Sequence, residues 1–161
     1  MNDLDREFLK RCVVLATEAL ESGSDPFGSI LVGSNGSILR EDYNRTADGD
    51  QTQHPEFALA RWAAANMSAA DRLAATVYTS GEHCPMCAAA HGWVGLGRIV
   101  YASSSVQLST WFGELATELP PVATLPIKTV VPHVVIDGPD PDLAEQIRDL
   151  HRKRHDARPR Q

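Results

Sequence analysis

Apolar and polar positions follow two different periods along this chain, and the switches between them mark the elements. From Asp3 to Glu21, Leu4, Phe8, Leu15 and Ala19 fall on one face with Cys12 beside them, which predicts an amphipathic helix. Gly23 just beyond it is a stop signal. Phe27–Val32 and Ile38–Tyr43 read as short strands. Asn35-Gly36 between them is the strongest short hairpin signal, so the two are expected to be antiparallel neighbours.

Thr46–Gln53 is polar and reads as a loop. His54-Pro55 then opens a helix running to about Asn66, with Phe57, Leu59, Ala60, Trp62 and Ala63 as its apolar positions. Asp71 and Arg72 punctuate. Ala75–Thr79 reads as a strand, Ser80–His83 as a turn, and Cys84–Val94 as a helix of mostly small residues ended by Gly95 and Gly97. Arg98–Ala102 is the next strand. Strand, helix and strand here make a βαβ unit, which implies parallel pairing and a right-handed crossover.

Between Ser103 and Pro121, Trp111, Phe112, Leu115 and Leu119 point to a helix in a Ser- and Thr-rich stretch. Thr129–Ile136 is rich in β-formers but carries Pro132, which argues for an edge strand or a bulge. Asp137-Gly138-Pro139 is a turn, and Leu143, Ile147 and Leu150 mark a last amphipathic helix over about 140–157. The order α–β–β–α–β–α–β–α–β–α predicts an α/β fold, with a five-stranded mixed sheet between layers of helices.

Two short stretches hold the candidate chemistry. His54-Pro55-Glu56 offers an imidazole and a carboxylate, and Cys84-Pro85-Met86-Cys87 offers two thiols. Proline is favoured at the first helical position, so His54 and Cys84 are each expected at the entrance of a helix. Cys84 and Cys87, three apart, then share a helix face, and the positive ends of two helices favour thiolate. His54, Cys84 and Cys87 are zinc ligand types. A catalytic zinc commonly takes three protein ligands and leaves the fourth position to water. Glu56 is the base beside that water.

His-Pro-Glu, then residues 57–83, then Cys-Pro-Met-Cys resembles the zinc-dependent cytidine-deaminase-like superfamily, whose signature is H-x-E followed by P-C-x-x-C. The run Val77-Tyr78-Thr79-Ser80-Gly81-Glu82-His83-Cys84-Pro85-Met86-Cys87 is most similar to its guanine deaminase and tRNA adenosine deaminase branch. The resemblance extends from the first helix to the strand near Tyr101 and thins beyond it. It implies a three-layer α/β/α sandwich with Zn²⁺ at the start of the second and third helices. It also implies hydrolytic deamination, in which Glu56 takes a proton from the water and passes it to the departing amine.

Further roles are implied by the resemblance alone. Asn44 matches an Asn that hydrogen-bonds the base, and Phe27 matches an aromatic residue lining the pocket. Glu82 matches an acidic residue before the Pro-Cys of related sequences. Glu114 stands where guanine deaminases carry a substrate-facing carboxylate. His83 replaces the usual Pro and adds a candidate ligand or substrate contact. The same resemblance suggests a homodimer, with Leu143, Ile147 and Leu150 docking at home or on the partner.

Composition narrows the partners. A chain of 161 residues fits one domain, and 43% apolar content is ordinary for a globular protein. Three cysteines do not make a disulfide framework, and two of them sit in C-x-x-C, which favours an intracellular metal site. Met-Asn-Asp-Leu-Asp-Arg at the start carries no apolar signal core, and no run is long enough to span a bilayer, so a cytoplasmic location is expected. A formal charge of −6 disfavours a polyanionic substrate such as tRNA. The first expectation is therefore a deaminase of a free amino-substituted heterocycle, guanine or a guanine-like purine foremost, with triazine and pyrimidine bases open. The alternatives are a tRNA adenosine deaminase and a non-catalytic module around a structural zinc closed by His83, His91 or Cys12.

Overall fold

The computed structural model describes residues 1–117 and 120–157. Helix α1 (Asp3–Glu21) is opened by a capping box in which Asn2 and Asp5 satisfy each other's backbone N–H. Its buried stripe is Asp5, Leu9, Cys12, Ala16 and Ala19, with Leu15 alongside, spaced three and four apart. Leu4, expected on that face, is 59% exposed. The stripe starts at a charged residue, because Asp5 is held by Arg98 and by the Tyr78 hydroxyl.

Strands β1 (Gly28–Val32), β2 (Ile38–Tyr43), β3 (Thr76–Gly81), β4 (Arg98–Ser103) and β5 (Ile136–Asp137) form one mixed sheet in the order β2-β1-β3-β4-β5. β1 is antiparallel to both β2 and β3, whereas β3, β4 and β5 run parallel. β1 is buried throughout, as a central strand covered on both faces must be, and β2 is the exposed edge. Gly28 allows α1 to lie against β1: a Cβ there would come within 2.4 Å of the Leu15 Cβ.

Helices cover both faces. On one side α1, α5 (Ser105–Glu114) and α7 (Pro141–Asp156) enclose Leu9, Ile30, Tyr78, Val100, Trp111 and Ile147. α7 packs on α1 and β4 of its own chain and buries Leu143, Ile147 and Leu150. On the other side α2 (Pro55–Asn66) and α4 (Pro85–Val94) lie side by side over Leu31, Val77 and Ile99. The architecture is the three-layer α/β/α sandwich that the element order predicts.

Two local expectations differ from the structure. Ser68 caps a short helix, α3 (Ala69–Ala74), where only punctuation was expected; its hydroxyl takes the Asp71 N–H. The β-rich stretch Thr129–Ile136 supplies only Ile136 of the two-residue β5, although that strand is indeed the edge. It is preceded by a helical turn, α6 (Ile127–Val130), whose first N–H is taken by Glu82. A carboxylate at that N-terminus favours the helical turn, and Pro132 removes a ladder donor from any longer strand. In the Ser103–Pro121 stretch the helix is present as α5, while Leu119 lies outside the described residues.

Candidate metal centre and active site

His54 and Cys84 occupy the N-cap positions of α2 and α4, both with extended backbone, and Pro55 and Pro85 follow as the first helical residues. Because α2 and α4 pack against each other, the two helix entrances meet. Cys87, one turn into α4, completes the group. His54 Nδ1 lies 3.5 Å from Cys84 Sγ and 3.6 Å from Cys87 Sγ, and the three donor atoms all fall within 4.8 Å of one another.

These separations test the fit to zinc. With Zn–S near 2.3 Å and Zn–N near 2.0 Å, a tetrahedral centre sets its N and S donors about 3.5 Å apart. The two N–S edges therefore match those of a tetrahedral zinc centre. Among the described residues, no fourth His, Cys, Asp or Glu joins the group. Without the metal the donors share protons. The Cys84 thiol is pulled down to about 4, chiefly by a hydrogen bond from Cys87 and then by His54, against the effect of its burial. The same bond, with burial, pushes Cys87 up, and the hydrogen bond to Cys84 raises His54. Zinc would take the place of those protons.

Glu56, in the first turn of α2, is buried at 6% exposure. Its Oε1 accepts from Ser29 Oγ at 2.6 Å and from Thr79 Oγ1 at 2.9 Å, and its charge contributes to raising Cys87. Ser29 and Thr79 were missed by the sequence reading. The signal was there: both are polar positions on the sheet face that Leu31 and Val77 otherwise make apolar.

The other expected contacts divide. Asn44 is buried at the end of β2, and its Oδ1 accepts from the Thr46 N–H and hydroxyl, which leaves its amide N–H groups for another acceptor. The Phe27 ring packs against Gly81, where a Cβ would come within 2.9 Å of it, and meets His151 edge-on at 5.1 Å. Glu82 turns away from the donors: its two oxygens accept the backbone N–H groups of Ser105 and Ile127, each at 2.7 Å. His83 is outside the donor group, fully buried edge-on to His91 with ring centroids 5.4 Å apart. Burial holds the His83 imidazole neutral, well below its ordinary range. Glu114 is half exposed on the surface of α5 and pairs with Arg148 at 2.7 Å.

A small cleft does not include the donors. It is lined by Asp25, Phe112, Leu115, Thr117, His151, Arg154 and His155, and the Asp25–Arg154 pair at 3.0 Å ties the loop after α1 to α7. None of His54, Glu56, Cys84 and Cys87 borders it.

Residues 2–103 match the model of the cytidine and deoxycytidylate deaminase zinc-binding region. A probable cytosine deaminase of Schizosaccharomyces pombe is 29% identical over 144 residues, covering 83% of this chain and 87% of that protein. The guanine deaminase of Bacillus subtilis is 38% identical over 98 residues, 60% of this chain and 62% of that protein. A solved structure from work on A-to-I editing by tRNA:A34 deaminases superposes with a TM-score of 0.62 at 25% identity, covering 90% of this chain and 99% of that one.

Proposed function

The chain belongs to the cytidine and deoxycytidylate deaminase family, and on that premise we propose that it hydrolytically deaminates a free amino-substituted heterocycle, guanine or a guanine-like purine foremost. Amino-triazine and amino-pyrimidine bases are the nearest other candidates. Membership makes it a zinc-binding deaminase; the class of base is our reading. The observation that carries the deaminase chemistry is a buried carboxylate, Glu56, beside three donors whose N–S separations fit a tetrahedral zinc and which have no fourth protein partner among the described residues.

Held by His54 Nδ1, Cys84 Sγ and Cys87 Sγ, the metal would supply a water acidified toward neutrality. Glu56 takes a proton on Oε2, since Oε1 is engaged by two hydroxyls. It gives that proton to a ring nitrogen as the remaining hydroxide adds to the carbon bearing the amine, then takes the second proton from the added hydroxyl and gives it to the amine, so that the C–N bond breaks, ammonia leaves and the carbon becomes a carbonyl. Asn44 offers its amide N–H to an acceptor on the heterocycle, and Phe27 gives its ring one apolar wall. The proximity of a cytosine deaminase and a guanine deaminase supports a free base.

A tRNA adenosine deaminase is the second reading, favoured by the likeness to tRNA:A34 deaminases. The formal charge of −6 weighs against it. Two cations near the end of α7 are also already paired, Arg152 with Asp149 and Arg154 with Asp25. A homodimer in the cytoplasm completes the proposal. Trp93, 91% exposed on α4, is a side chain that a partner would cover. No described helix is long and apolar enough to cross a membrane.

The test is ammonia release by zinc-loaded protein over a panel of amino-purines, amino-pyrimidines, amino-triazines and their nucleosides, with an adenosine-containing tRNA stem-loop alongside. Turnover of a free base is the expected result. Turnover of the stem-loop alone would transfer the assignment to the second reading.

A further inference from the structure

Ser29 on β1 and Thr79 on β3 are direct partners across an antiparallel pair, so their side chains stand together on one face of the sheet. That face lies under α2 and is otherwise lined by Leu31 and Val77. Both residues are 0% exposed. Two hydroxyls in such a layer need acceptors, and they could have satisfied themselves without help. Ser29 Oγ lies 2.9 Å from Thr79 Oγ1, which lies 2.9 Å from the Gly81 carbonyl. A chain from Ser29 through Thr79 to Gly81 would be closed. Ser29 Oγ nevertheless approaches Glu56 Oε1 to 2.6 Å, the length of a bond from a hydroxyl to a charged oxygen, and Thr79 Oγ1 stands 2.9 Å from that same oxygen while keeping its 2.9 Å contact to the Gly81 carbonyl.

From this we infer that Ser29 and Thr79 are positioning residues for Glu56, fixing its carboxylate so that Oε2 alone is presented for proton transfer. The inference rests on the reading of Glu56 as the proton carrier. The terminal torsion of a glutamate is broad and has little preference of its own, so the plane of the carboxylate must be set from outside. Ser29 sets it from one strand and Thr79 from the next. Both are carried by the sheet and not by a loop, which suits a group that must hold its aim through two proton transfers.

The test uses zinc-loaded full-length protein with Ser29→Ala, Thr79→Val and Thr79→Ser. Valine keeps the shape of threonine and removes the hydroxyl, whereas serine keeps the hydroxyl. On the base that the wild type turns over, Ser29→Ala and Thr79→Val should lower kcat about 10- to 100-fold, with KM within about twofold. Thr79→Ser should stay near the wild type, and the zinc content of all three should be unchanged. Independently of turnover, the shifts in Tm caused by Ser29→Ala and Glu56→Gln should be non-additive in the double variant. Unchanged kcat, a fall in Thr79→Ser equal to that in Thr79→Val, or strictly additive Tm shifts would each overturn the inference. No turnover by the wild type would instead remove the reading on which it rests, and is told apart by that control.

Discussion

Replacing Glu82 by Gln should loosen the segment after β4 from the metal loop, at a cost the structure lets one estimate. The carboxylate accepts two backbone N–H groups at 2.7 Å, one at the start of α5 and one at the start of α6. A glutamine of the same shape keeps one acceptor and turns an N–H₂ group toward the other donor. A hydrogen bond to a charged group contributes roughly 1.5–3 kcal/mol, and the half-buried position keeps the loss toward the middle of that range, about 2 kcal/mol. For a chain of this length that corresponds to about 4–8 °C in Tm. Urea unfolding of the zinc-loaded protein measures the difference directly, and limited proteolysis between Leu115 and Pro126 shows where it acts. A cost below about 0.5 kcal/mol, the size expected of an ordinary surface change, would refute the role assigned to Glu82.

Further outcomes follow from other sites. Arg98 hydrogen bonds hold the Asp5 carboxyl down at about 2, against burial, from an ordinary 3.8. Because its folded value is depressed, its contribution is fully present above pH 3.8 and is lost as the pH falls through about 2. It amounts to about 2 kcal/mol, and in Asp5→Asn the acid limb of a stability–pH curve should flatten across that window. His83→Phe should keep one zinc per chain and stay within about 1 kcal/mol of the wild type, since the ring packs on His91 and its buried Nδ1 has no hydrogen bond among the described residues. Metal analysis and urea unfolding check this, and loss of zinc would make His83 a ligand after all. Glu114→Ala should leave turnover unchanged and cost no more than about 1 kcal/mol, as an exposed ion pair does. A raised KM in that variant would return Glu114 to the substrate.

Much of this was legible in the sequence because it depends on local rules. Pro55 and Pro85 reveal two helix entrances, and the spacing of Cys84 and Cys87 puts both thiols at one of them. Asn35-Gly36 fixes the β1–β2 hairpin. What the sequence hid depends on partners far along the chain. The α1 stripe begins at Asp5, a charge that is buried only because Arg98 and Tyr78 meet it there. Glu82 beside the metal loop looks like a substrate contact until Ser105 and Ile127 are seen to claim both its oxygens. Thr129–Ile136 has the composition of a strand, yet the Glu82 carboxylate favours a helical turn that takes in Thr129 and Val130, and Pro132 shortens what remains. Ser29 and Thr79 look like ordinary strand residues until Glu56 is placed against them.

The most direct check of the central claim is to measure zinc content and ammonia release on the same preparations of wild type and Glu56→Gln, using the base that the panel identifies. The expected result is one zinc per chain in both, with turnover in the wild type and at least a hundredfold less in the variant. Retained turnover in Glu56→Gln, or loss of its zinc, would contradict a site in which three side chains hold the metal and this carboxylate carries the proton.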